Sequence, residues 1–121
     1  MAMPLSLICG CKKQPGTGGL ATISGRVYAY EYNNFGLLVD SGYVADERVY
    51  ISYGGGNAAD DNVRTGIGGE FRFEWLQKGD YAVWVISECD TCPLRQQIIK
   101  QHVTITGKKQ NLTLPDFVIR I

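Results

Sequence analysis

Three features of this 121-residue chain predict an all-β fold, a seven-stranded antiparallel sandwich. First, Phe71, Phe73 and Trp75 alternate with Glu70, Arg72 and Glu74. A period of two puts the aromatics on one face of a strand and the charges on the other. Second, the 15 glycines fall mostly in clusters between apolar runs, as expected of many turns joining short strands. Third, no window shows helical periodicity over three turns, and the apolar runs recur at roughly eight to fifteen residues, the spacing of a sandwich with Greek-key connections.

Thr22 to Tyr30 alternates cleanly and opens the domain as a strand, with Ile23, Val27 and Ala29 inward and Arg26, Tyr28 and Tyr30 outward. Asn33-Asn34-Phe35-Gly36 has turn chemistry. Leu37 to Val44 is an ambiguous apolar patch interrupted by Asp40-Ser41-Gly42. Arg48 to Tyr53 is a strand with Val49, Ile51 and Tyr53 on one face. Gly54 to Asn62 is expected to be a long loop. Glu70 to Trp75, a turn at Lys78-Gly79-Asp80, and Tyr81 to Val85 make an antiparallel hairpin, with Phe71, Phe73 and Trp75 all inward. Glu88 to Pro93 is a loop. Leu94 to Thr106 resumes as strand, with one turn of helix as an alternative over Leu94 to Gln101. Leu112 and Leu114 lead to a last run, Phe117 to Ile121.

The chain begins differently. Residues 1–11 are apolar and uncharged, and Lys12 to Gly19 is a polar Gly/Pro stretch. This is how a secretory signal ends. Ile8-Cys9-Gly10-Cys11 resembles the bacterial lipobox, which makes Cys11 the expected lipidation site and residues 12–19 a flexible tether. A basic leader region is missing, and the apolar run is far too short to span a bilayer. The expected division is 1–11 signal and lipobox remnant, 12–19 tether, and 20–121 a single β-sandwich domain.

Composition narrows the partners. Lys+Arg and Asp+Glu both number 12, so no basic excess argues for nucleic acid. The expected partners are a membrane, through the lipid on Cys11, and a protein or carbohydrate ligand.

Ile23-Ser24-Gly25-Arg26-Val27 resembles the opening strand of transthyretin-like domains of the carboxypeptidase-regulatory type. Glu47-Arg48-Val49-Tyr50-Ile51 resembles their second strand. Thr65, Gly69, Phe71, Phe73, Leu76, Gly79 and Tyr81 resemble the central motif, and the resemblance covers about residues 20–121. It implies a prealbumin-like, immunoglobulin-like sandwich in which Leu76 plugs one end, Gly79 takes a turn conformation and Tyr81 restarts an inward-facing strand. It also implies a non-catalytic spacer, adhesion or accessory module, of a kind frequent in surface lipoproteins of Bacteroidetes-type bacteria. A hydroxyisourate hydrolase shares this fold family. That activity needs several histidines and a Tyr-Arg-Gly-Ser-type ending, and this chain has one histidine and ends Val118-Ile119-Arg120-Ile121.

Two constellations could carry chemistry or binding. Cys89-Asp90-Thr91-Cys92 is compatible with a structural disulfide, free thiols, half of a metal site completed by His102, or a redox pair. The metal and redox alternatives make a small active protein centred on Cys89, Cys92 and His102; no cofactor is otherwise expected. Asp40, Asp46, Glu47, Asp60 and Asp61 could ligate Ca²⁺, yet match no fixed-spacing loop. Tyr28, Tyr30, Tyr50 and Trp84 lie opposite inward residues of their strands and form the candidate binding surface, an exposed aromatic row on one sheet.

Overall fold

The computed structural model describes residues 15–54 and 56–121. Cys11 and the lipobox lie outside the described residues. Nine strands form: β1 (Thr17–Tyr32), β2 (Leu38–Tyr43), β3 (Arg48–Tyr53), β4 (Asp61–Arg64), β5 (Glu70–Leu76), β6 (Gly79–Glu88), β7 (Gln96–Ile105), β8 (Asn111–Thr113) and β9 (Phe117–Arg120). A 3₁₀ turn, Pro93–Arg95, precedes β7. Among the described residues no helix is long and apolar enough to cross a membrane.

The fold is an all-β sandwich of two sheets, with nine strands among the described residues where seven were expected. The two additional strands are Leu38–Tyr43, in the ambiguous patch, and Asp61–Arg64, at the end of the expected loop. Pairing is not wholly antiparallel either. β1 is 16 residues long and serves two sets of neighbours. Its first half pairs with β5 antiparallel and β8 parallel. Its second half pairs with β2 antiparallel and β9 parallel. The second sheet runs β4-β3-β6-β7, all antiparallel.

The core follows the period of two. Ala21, Ile23, Val27 and Ala29 of β1, Phe71 and Phe73 of β5, and Phe117 and Ile119 of β9 face Val49 and Ile51 of β3 and Tyr81, Val83 and Val85 of β6. Trp75 departs from expectation. Ala21 pairs with Leu76 but Ile23 pairs with Phe73, so β5 carries one extra residue there. This bulge puts Trp75 at φ +61° and 62% exposed, and Leu76 takes the core position instead.

The end of the sandwich where β1 starts is tied down by Tyr81. Its hydroxyl accepts from the Gly16 N–H at 2.8 Å and donates to the Gln77 carbonyl at 2.6 Å. Gly16 in turn accepts from the Gln77 N–H at 2.8 Å. The end of the expected tether is therefore bound to the domain, and Thr17–Gly19 already belong to β1.

Tyr81→Phe leaves the Gly16 N–H and the Gln77 carbonyl without this partner and is expected to cost about 1–3 kcal/mol. Burial raises the Tyr81 pKa above 10, with the Gly16 and Gln77 backbone pulling it back. Burial, Asp61 and Asp60 raise that of Tyr53 as well. A raised folded-state pKa means this stability is whole below pH 10 and falls as pH rises past it. Urea unfolding between pH 8 and 11 should show a decline above pH 10 that is shallower in Tyr81→Phe. Equal slopes would exclude Tyr81 as a source.

Candidate functional site

The four aromatics do not form one surface. Tyr28 and Tyr30 lie on the outer face of the β1 sheet, with ring centroids 5.4 Å apart. Tyr50 and Trp84 lie on the outer face of the other sheet, paired across β3 and β6. The hydrophobic core separates the two pairs.

Trp84 is only 6% exposed, so it is not an exposed contact residue. Tyr50 stacks on it at 5.9 Å, and the Lys100 ammonium sits 5.0 Å from its ring centroid. Lys100 also reaches Asn57 in the loop after β3. The same loop passes over Ser52, where a Cβ on Gly56 would lie 3.3 Å from the hydroxyl. The glycine-rich loop thus closes over part of this face.

The β1 face is more open. Tyr28, Tyr30 and Tyr32 alternate outward along β1, and Tyr43 of β2 pairs directly with Tyr28. Their rings meet edge-on at 5.1 Å. Arg26 lies 5.0 Å from the Tyr43 ring centroid. The Tyr43 hydroxyl donates to Asp116 at 2.7 Å, and that bond is the main cause of its raised pKa.

This tyrosine band runs into a cleft at the Tyr32 end of the sandwich. Arg120, the last residue of β9, organises it. Its backbone N–H donates to the Ser87 hydroxyl at 2.8 Å. Its guanidinium lies 4.4 Å from the Tyr32 ring centroid and 3.1 Å from the Asp90 carboxylate. The pair is partly solvent-exposed and so contributes little to stability. Its effect is positional, because it joins the β1 sheet to the loop after β6. One groove of about 450 Å³ runs along Tyr30, Tyr32, Val118 and Gln97. A second, of about 550 Å³, is lined mostly by polar groups, among them Asn33, Asn34, Glu88, Arg95 and Gln96. Both contain Tyr32 and Arg120.

The loops at the cleft are held from within. Asn33 Oδ1 accepts from the N–H groups of Phe35 and Leu37 at 2.9 and 3.0 Å, an Asx-type turn. Cys89 and Cys92 are joined as a disulfide. The Cys89 N–H donates to the Arg95 carbonyl at 3.0 Å and closes the loop. Leu94 and Arg95 both have φ near +60°, a conformation costly for residues with a Cβ. Such strain in a loop is held by its surroundings.

The metal or redox alternative loses its geometry here. His102 pairs with Ala82, whereas Cys89 follows Glu88, which pairs with Gln96. Six residues along β7 separate the two levels, about 20 Å. Among the described residues no three His, Cys, Asp or Glu side chains gather as a metal group. The loop acids are engaged singly: Asp46 with Arg64, Asp60 with the Tyr53 N–H, Asp40 with the Ser41 N–H and Asp61 with the Asn62 N–H. Burial raises the Glu47 pKa, with Arg64 opposing it.

No protein-family model and no curated protein matches the chain. Among solved structures it is similar to a crystal structure of a candidate carbohydrate-binding protein from Pseudomonas aeruginosa, at 16% identity and a TM-score of 0.46. The match covers 84% of this chain and 91% of that one. At that score the likeness carries no argument about what this chain binds.

Sequence reasoning missed Tyr32, Tyr43, Asp90 and Arg120. Tyr32 was within reach, since Tyr28 and Tyr30 set a period that it continues. Arg120 and Tyr43 join the band through strand pairing across long separations, which no local pattern records.

Proposed function

We propose that this chain is a non-catalytic, transthyretin-like binding module of a bacterial envelope, tethered through a lipid on Cys11, and that its cleft takes a glycan. The observation that carries the glycan reading is the meeting of two open grooves at Arg120 and Tyr32. Sugar rings present apolar C–H faces edged by hydroxyls. The Tyr30 and Tyr32 rings offer flat surfaces for the former. Asn33, Asn34, Glu88, Gln96 and Arg120 offer amide, carboxylate and guanidinium partners for the latter.

The test is a glycan array probed with the full chain, followed by calorimetry on the sugars retained. Arg120→Ala and Tyr32→Ala are expected to weaken binding about 10- to 100-fold, the value of one hydrogen-bonded charged group or ring contact. Tyr50→Ala, on the other sheet, is expected to leave it unchanged. An array that retains nothing, or cleft variants that bind like the parent, would reject the glycan reading.

A second reading is favoured by one feature. Phe35, Leu37, Leu38 and Val39 are 87, 63, 53 and 54% exposed beside the cleft, and β2 is an edge strand. An apolar edge of this kind suits strand addition by a protein partner. Leu38→Lys would abolish such binding and spare glycan binding.

A further inference from the structure

The opposite end of the sandwich has a different chemistry. Pro15 lies against Gly79, where a Cβ would come within 2.5 Å of its ring. Gly16 is bonded to Tyr81 and Gln77. Pro15 and Gly16, where the described residues begin, are therefore fixed at this end. Cys11 is four residues before Pro15, at most about 14 Å of chain.

Two apolar side chains in the strands of this end are exposed, Leu20 at 51% and Trp75 at 62%. Leu20, Leu76, Lys78 and Lys108 line a shallow pocket of about 200 Å³. The β5 bulge turns Trp75 outward in a conformation costly for a residue with a Cβ. Of the acids nearby, only Glu74 is paired with a cation, and Asp80 and Asp60 keep their charge while bonded to neutral donors. Glu74 pairs with Arg72 at 3.1 Å, Asp80 accepts from Thr104 at 2.7 Å, and Asp60 accepts from the Tyr53 N–H at 2.7 Å.

We infer that this end rests on an anionic phospholipid surface. Trp75 and Leu20 enter the headgroup layer, and Lys78 and Lys108 lie over lipid phosphates. An indole with an apolar body and one N–H suits that boundary, and lysines near an anionic leaflet are attracted to it. The inference rests on the lipid-anchor reading for its setting. It adds that the domain has its own membrane face and is held upright, with the Tyr32 cleft pointing away.

The experiment uses the full chain as Cys11→Ser, which carries no lipid, with vesicles of phosphatidylcholine containing phosphatidylglycerol. Expected results are co-flotation that falls with added salt and a blue shift of tryptophan emission. The shift reports Trp75, because Trp84 is already buried. Lys78→Gln with Lys108→Gln should lower partitioning about 25-fold, roughly fivefold for each lysine. Trp75→Ala should remove the shift. Partitioning no greater than onto pure phosphatidylcholine, or unchanged in the double lysine variant, would overturn the inference. Intact-mass analysis of the native protein tests Cys11 separately. Partitioning without an acyl mass upholds the membrane face and rejects the anchor. An acyl mass without partitioning rejects the face alone.

Discussion

Phe117→Ala is expected to lower the free energy of unfolding by about 3–5 kcal/mol, the range for truncating a buried aromatic. Phe117 is 1% exposed, and its ring centroid lies 5.9 Å from that of Phe71. It sits on β9, in register with Val27 of β1. Neither strand can collapse into the space left, because each is held by its ladder. For a domain whose whole stability is of order 5–15 kcal/mol, this is a large fraction. Melting should fall by roughly 10–20 °C. Urea denaturation checks it: the midpoint moves and the slope does not. A loss below about 1 kcal/mol would mean that β9 is loosely packed and that the cleft built on Arg120 has no firm floor.

Gly69→Ala is the second large effect, expected at about 2–4 kcal/mol from left-handed backbone strain and overpacking together. Gly69 has φ +78° and is buried. A Cβ there would lie 2.8 Å from that of Tyr43 and 2.9 Å from the Val27 carbonyl oxygen. That oxygen also accepts from the Val44 N–H at 3.0 Å, and the Gly69 carbonyl accepts from the Val27 N–H at 2.9 Å. Relief of the contact would move Tyr43 and with it the tyrosine band. If the cleft takes a glycan as proposed, the variant should lose glycan affinity as well as stability, measured by calorimetry on folded protein at low temperature. Gly36→Ala makes the comparison, since its φ is +77° but nothing lies within 4 Å of its added Cβ. It should show the backbone cost without the packing cost.

Gly69 belongs to the part of the molecule that a sequence can announce. Its place before Phe71 and Phe73, and the Leu76-Gly79-Tyr81 spacing, describe local turn geometry and local alternation. So do Ile23, Val27 and Ala29, all of which are buried. Trp75 was misplaced because a bulge adds one residue without any residue type that demands it. Trp84 was misplaced because its cover comes from Tyr50 and Lys100, 34 residues earlier and 16 residues later in the chain. Tyr28 and Tyr50 look equivalent within their strands, yet which sheet a strand joins is decided by pairing. The cleft was the least legible feature. Tyr32, Asp90 and Arg120 each read as ordinary surface residues until β9 is laid beside β1.

That parallel pairing has a consequence in time. Val118 lies beside Tyr28 and Leu112 beside Ile23, so two neighbours of β1 arrive some ninety residues after it is made. Loops of that length close slowly, and folds dominated by such distant contacts form in milliseconds to seconds rather than microseconds. Until residue 120 has emerged, β1 has only part of its ladder, and its inner face is bare of Phe117 and Ile119. The newborn domain should therefore stay open until Phe117 to Arg120 have been made. Such a state leaves apolar surface and strand edges uncovered, and is prone to aggregate until the last strand closes.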